Sequence, residues 1–125
     1  MSKVLIVEDE PDFIHMLEII LKRKGFEVVH AERGQDGLVL AEVEAPDVII
    51  LDMMLPDLDG VQFCRQLRAT SAIAHIPILV LSARMDPSEQ KKALAAGANV
   101  YLIKPAGSAE LVEHLQRLLN RENPS

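Results

Sequence analysis

Five residues of this chain carry side chains suited to chemistry and recur at equivalent places: Glu8 and Asp9, Asp52, Ser82 and Lys104. Glu8 follows Val4-Leu5-Ile6-Val7, Asp52 follows Val48-Ile49-Ile50-Leu51, Ser82 follows Ile78-Leu79-Val80-Leu81, and Lys104 follows Val100-Tyr101-Leu102-Ile103. Three carboxylates brought together repel, so protons or a cation must offset them. Oxygen-only donors with room for water suit Mg2+. Three acids, one lysine and one Mg2+ balance to zero, and a neutralised pocket beside a carboxylate can receive a phosphoryl group. Aspartate can be the nucleophile there, giving an acyl phosphate. The lysine and the metal would stabilise charge on the transferring oxygens, and the serine hydroxyl would hydrogen-bond one of them. Taken singly, each residue has a plainer explanation: Asp9 as the cap of a helix starting near Pro11, Ser82 as a turn residue, Lys104 as a surface lysine. Their shared position after apolar runs favours the chemical reading.

The elements that must position them follow from the same runs. Four of them, with the weaker Val28-Val29, are continuous rather than alternating in apolarity. Continuous runs bounded by Gly, Pro or charged residues are the pattern of parallel strands covered on both faces, with the weak second run nearer an edge. Between them lie helix-like segments. After Pro11, the residues Asp12, His15, Glu18 and Lys22 form a polar face, and Phe13, Leu17, Ile20 and Leu21 an apolar one. Gly25 after Lys22-Arg23-Lys24 is a stop signal. Asp86-Pro87-Ser88-Glu89 is a start signal for a helix ending near Gly97, and Ser108 is expected to cap the last helix. Alternating strands and helices predict one doubly wound, flavodoxin-like α/β domain, with a five-stranded parallel sheet in the order 2-1-3-4-5 and five flanking helices. In such a sheet ligands bind beyond the carboxyl ends of the strands, where the five residues fall.

The remaining composition excludes other classes. The chain has 125 residues, enough for one domain, and 49% apolar with 26% charged residues is ordinary globular usage. A net charge of −6 argues against direct nucleic-acid binding by this domain. No apolar run approaches the ~20 residues that cross a bilayer. Met1-Ser2-Lys3-Val4 leads straight into the first strand without signal-peptide organisation, and Cys64 is alone, so a reducing, cytoplasmic setting is expected. Cys64 itself reads as a small buried apolar residue. His15, His30, His75 and His114 have no ligand-like spacing. Asn120 to Ser125 is polar, giving a domain over 1–120 and a tail or linker start over 121–125.

The ordered set Leu5-Ile6-Val7-Glu8-Asp9-Glu10, Pro46 to Asp52, Leu55-Pro56-Asp57-Leu58-Asp59-Gly60, Leu81-Ser82-Ala83, Ala95-Ala96-Gly97-Ala98 and Tyr101-Leu102-Ile103-Lys104-Pro105 resembles receiver domains of two-component response regulators over residues 2 to 120. The chemotaxis-type single-domain receiver is a similar case. The resemblance implies that Asp52 accepts a phosphoryl group from a partner histidine kinase or phosphotransfer protein. It implies Mg2+ held by Glu8, Asp9, Asp52 and the backbone carbonyl of Met54. By the same resemblance Lys104 pairs with the phosphoryl group, and the Lys104-Pro105 peptide is one that family members often hold cis. Ser82 matches the switch hydroxyl, and Tyr101 the aromatic switch residue whose ring turns inward. The output partner or domain would be met through the fourth helix, fifth strand and last helix, including Tyr101 and Glu89 to Ala95. Such a protein is an enzyme only in catalysing its own phosphorylation and slow dephosphorylation.

Several positions depart from the family pattern. Glu8 stands where aspartate is frequent, and Ala106 where phenylalanine is usual. Met54 and Arg84 occupy the two positions that tune acyl-phosphate lifetime, and the apolar Met54 cannot orient an attacking water. Asn99-Val100, His114 and Gln116 replace charged residues of one DNA-binding subfamily, so that subfamily's ion-paired dimer is not expected. The alternative function is a phosphorylation-independent interaction module on the same fold. The intact set Asp9, Asp52, Ser82 and Lys104 argues against it. An aspartyl-phosphate hydrolase would want an acid where Met54 stands, and the acidic first turn would repel an FMN phosphate.

Overall fold

The computed structural model describes residues 2–120 in full and the backbone of 121 and 122. The chain runs β1 (Lys3–Val7), α1 (Pro11–Arg23), β2 (Glu27–Ala31), α2 (Gly34–Glu44), β3 (Val48–Asp52), α3 (Gly60–Ala69), β4 (Ile78–Ser82), α4 (Pro87–Ala95), β5 (Val100–Ile103) and α5 (Ser108–Glu122). The five strands form one parallel sheet in the order β2-β1-β3-β4-β5, as the sequence predicts. The polar tail expected from 121 onward lies largely outside the described residues.

Because neighbouring residues of a strand point to opposite faces, each continuous apolar run feeds two cores. Leu5, Val7, Ile49, Leu51, Ile78 and Val80 meet Ala41, Phe63, Leu67 and Ala93 from α2, α3 and α4. Val4, Ile6, Val48, Ile50, Leu79 and Leu81 meet Leu17, Leu21, Leu111 and Leu115 from α1 and α5. All of β3 and β4 is buried, whereas Glu27 and His30 of the edge strand β2 are exposed. Gly37 lets α2 close onto β1: a Cβ there would stand 2.8 Å from a methyl of Val7.

Helix ends follow the local signals, with two shifts. Pro11 opens α1 and Lys22 and Arg23 occupy its last turn, but its buried face is Ile14, Leu17 and Leu21. Phe13 and Ile20, expected on that face, are half-buried at its margin, because the contact with the sheet is centred about one residue further along the helix. Asp86 caps α4 through the Ser88 amide at 3.0 Å, and Gly97 closes it at φ +119°. Ser108 is the first residue of α5 rather than its cap, the Leu111 amide donating to the Gly107 carbonyl at 3.0 Å. A boundary shift of one residue is ordinary at helix ends.

The start of α2 is held from elsewhere. Arg33, at its cap position, supplies no side-chain bond. Instead the Asp57 carboxylate, from the loop after β3, accepts from the amides of Gly34 at 2.8 Å and Gln35 at 3.1 Å. These amide bonds, that of Gln35 foremost, hold the Asp57 carboxyl below its ordinary value. A group with a lowered pKa stabilises the fold above its unfolded-state value and loses that contribution as pH falls through its folded value. Asp57→Ala is therefore expected to lower the unfolding midpoint at neutral pH, with the difference from wild type shrinking below about pH 4. Thermal melts of both proteins between pH 7 and pH 2.5 check this, and a difference constant across that range would refute it. Burial pushes the Cys64 thiol up to about 11, so alkylation by a maleimide at pH 7 is expected only with unfolding, as intact mass with and without denaturant will tell.

Candidate functional site

The sheet register brings the expected residues to one rim. Val7 pairs with Leu51, Asp52 with Leu81 and Ser82 with Ile103. Glu8, Asp52, Ser82 and Lys104 therefore leave adjacent strands side by side at the carboxyl edge. Glu8 is 3% exposed, Asp52 9% and Ser82 0%, whereas Asp9 is exposed at the mouth.

A buried carboxylate needs partners, and Glu8 has three. Its Oε2 accepts from the amides of Asp9 at 2.9 Å and Glu10 at 3.3 Å. Its Oε1 accepts from Lys104 Nζ at 2.7 Å. Lys104 Nζ is also 4.0 Å from Asp52 Oδ1, which accepts from the Met54 amide at 3.2 Å. The Lys104-Pro105 peptide is cis, and the Lys104 amide donates to the Ser82 carbonyl at 2.8 Å, tying the ends of β4 and β5 together.

Glu8, Asp9 and Asp52 each offer a carboxylate oxygen, and these lie within 4.8 Å of one another. Three carboxylates face one ammonium. The Asp9 carboxylate has no protein donor among the described residues. A hard, all-oxygen donor set open to solvent fits Mg2+, which keeps several waters. None of the histidines joins such a group among the described residues.

The two expected switch residues meet through a third. Ser82 Oγ accepts from the Arg84 amide at 3.1 Å, and the Tyr101 hydroxyl donates to the Arg84 carbonyl at 3.1 Å. The Arg84 guanidinium in turn reaches Glu89 of α4 at 3.4 Å. Asn99 has an internal use: its Oδ1 accepts from the Ile78 amide at 2.9 Å and from Arg68 Nη2 at 3.0 Å. Met54, 55% exposed, lines a cleft of about 660 Å3 between α3 and α4, together with Asp9, Asp59 and Arg84.

Three contributors were not identified as site residues from the sequence. The Phe13 ring centroid lies 4.2 Å from Lys104 Nζ, Asp57 holds α2 to the loop after β3, and Asp59 caps α3 through the Gln62 amide at 2.9 Å. An aspartate directly before Gly60 and a helical run was a readable cap signal for Asp59. No spacing rule pointed to the other two.

A doubly wound parallel sheet with an acidic cluster, a lysine and a hydroxyl at the carboxyl rim defines a class of small α/β switch and ligand-binding domains. The family model of the response regulator receiver domain matches residues 4–116, and the chain belongs to that family. It is 46% identical over 123 residues to the KDP operon transcriptional regulatory protein KdpE of Escherichia coli, covering 98% of this chain and 53% of that protein. The chain spans about half the length of the curated relatives it matches. Among solved structures it is similar to the chemotaxis response regulator CheY4 of Vibrio cholerae, with TM-score 0.88 and 34% identity, covering 94% of this chain and 98% of that one. It is equally similar to the receiver domain of the sensor histidine kinase PA1611 of Pseudomonas aeruginosa, described with a magnesium ion coordinated in the active-site cleft (TM-score 0.88, 34% identity, 95% and 98% covered). No helix among the described residues is long and apolar enough to cross a membrane.

If the acidic triad holds a divalent cation, Mg2+ must stabilise the fold by mass action, by about 2.7 kcal/mol at a hundred times its dissociation constant. Wild type is expected to show a rising thermal midpoint on Mg2+ titration and Asp9→Asn most of that rise lost. Identical titrations would show that the triad is not the binding site.

Proposed function

We propose that the chain is a phosphorylation-operated signalling switch in which Asp52 accepts a phosphoryl group from the phosphohistidine of a partner kinase or phosphotransfer protein. The observation that carries this reading is the convergence of the Glu8, Asp9 and Asp52 carboxylates within 4.8 Å, with Lys104 Nζ 4.0 Å from Asp52. Glu8, Asp9 and Asp52, with the Met54 carbonyl, would hold Mg2+. The bound cation supplies positive charge beside the acceptor carboxylate and the transferring oxygens.

An Asp52 carboxylate oxygen attacks phosphorus while the phosphorus–nitrogen bond to the donor imidazole breaks, the nitrogen keeping the electron pair. Lys104 turns its ammonium toward the incoming phosphoryl oxygens. The Ser82 hydroxyl leaves the Arg84 amide to donate to one of those oxygens. That shift frees the backbone N–H of Arg84, the residue whose carbonyl the Tyr101 hydroxyl holds, and so reaches Arg84, Glu89 and α4. Phosphorylation thereby biases an equilibrium between two arrangements of the α4, β5 and α5 face, which an attached output domain or a downstream partner reads. This acidic domain does not itself contact nucleic acid, and it works in the cytoplasm. Its catalysis is confined to its own phosphorylation and slow dephosphorylation.

Incubation with phosphoramidate and Mg2+ is expected to add one phosphoryl group to wild type and none to Asp52→Asn, as read by intact mass. No adduct on folded wild type that also ignores beryllofluoride, a stable phosphoryl mimic, would favour a phosphate-independent interaction module. The apolar Met54 side chain cannot orient an attacking water, so the aspartyl phosphate is expected to be long-lived. Met54→Asn is expected to shorten it by up to about ten-fold, the rate equivalent of one hydrogen bond to the attacking water. An unchanged decay rate would remove that role from Met54.

A further inference from the structure

We propose that Phe13 is a positioning residue for phosphoryl acceptance, its ring face holding the Lys104 ammonium at the rim while Lys104 exchanges Glu8 for phosphoryl oxygens. The inference rests on the reading of Asp52 as phosphoacceptor and adds a residue to that machinery. Phe13 lies in the first turn of α1, beside the acidic turn that carries Glu8 and Asp9. It is half-buried against the core under α1 and α5, and Lys104 Nζ stands 4.2 Å from its ring centroid. An ammonium within about 6 Å of a ring centroid is attracted by the negative face of the π system, more strongly where water is partly excluded.

The competition at Glu8 gives the ring its task. Glu8 Oε2 is engaged by two backbone amides, so Oε1, at 2.7 Å, is the oxygen that Lys104 uses. A cation held by the triad draws on the same carboxylate and weakens that ion pair. Asp52 is 4.0 Å away, beyond hydrogen-bond distance. The ring is the remaining neighbour that favours the ammonium without competing as a hydrogen-bond acceptor. It limits the freedom of a long side chain that must be in place when the phosphoryl group arrives.

The test compares phosphorylation rates with phosphoramidate at saturating Mg2+. Phe13→Leu and Phe13→Met keep an apolar side chain without a π face and are expected to react about five-fold more slowly. Phe13→Tyr restores the face and is expected to recover the wild-type rate. In a Lys104→Gln background, Phe13→Leu is expected to add no further slowing, because the ring acts through the ammonium. In metal-free protein the Lys104 ε-methylene protons are expected to carry an upfield ring-current shift in NMR spectra that Phe13→Leu abolishes and Phe13→Tyr keeps. Leu and Met variants as fast as wild type, an undiminished effect in the Lys104→Gln background, or no ring-current shift would each overturn the proposal. Wild type that takes no phosphoryl group would overturn the phosphoacceptor reading itself, and this one with it. Normal wild-type phosphorylation insensitive to Phe13 would overturn this one alone.

Discussion

The rim is organised by an electrostatic imbalance: three carboxylates crowd within 4.8 Å and a single ammonium offsets them. A charge removed from water destabilises a fold unless it is paired and hydrogen-bonded. Here the most buried acid, Glu8, has two amide donors and an ammonium at 2.7 Å. The next acid, Asp52, also buried, has one amide and a more distant ammonium. The exposed acid, Asp9, has no protein donor among the described residues. Partner number therefore rises with burial, and the fold tolerates the cluster without neutralising it. What is left over is negative potential directed at the mouth, which a cation held by the triad would relieve.

This arrangement depends on sheet order more than on any one contact. Glu8 and Lys104 follow the first and last strands in the chain, and both end beside Asp52 only because β1 and β4 flank β3 and β5 lies next to β4. Below the rim, fully buried strands and two packed faces make the platform stiff. The candidate site residues therefore stand at the strand ends or directly after them, above a core that fixes their origins.

The platform was readable in the sequence because its signals are local. Continuous apolar runs, Pro at helix starts and Gly after helix ends give strands, helices and their alternation without any knowledge of contacts. The five rim residues were readable for the same reason, as four directly follow a run and Asp9 follows Glu8. The contacts that complete the site are not local. Phe13 reads as another apolar residue of α1, and only the placement of β5 puts an ammonium over its ring. Asp57 reads as a turn residue, yet its partners are amides of α2, an element earlier in the chain. Asn99 looks like the loss of a surface charge, whereas its carbonyl oxygen satisfies the Ile78 amide and joins Arg68. Such roles come from long-range placement, which neither periodicity nor punctuation encodes.

The same distinction between held and less-held parts bears on how a change at the rim could reach α4. The turn after α4 is fastened: Arg68 donates to the Gly97 carbonyl at 2.7 Å and to the carbonyls of Ala74 and Ile76 at 2.8 and 2.6 Å. α4 itself buries one residue, Ala93, in its last turns. Ahead of it, Met85 is 75% exposed, and the segment is held by the Arg84 backbone, whose N–H donates to Ser82 Oγ and whose carbonyl accepts from the Tyr101 hydroxyl, and by the exposed Arg84–Glu89 pair. Exposed ion pairs contribute little, so the two bonds to the Arg84 backbone, one to its N–H and one to its carbonyl, hold more firmly. Under the proposed function, a Ser82 hydroxyl turned toward a phosphoryl oxygen would remove one of them. The element then least able to resist is the start of α4, while its far end stays clamped, so a local exchange of hydrogen bonds would be expressed as movement of one helix end about a fixed other.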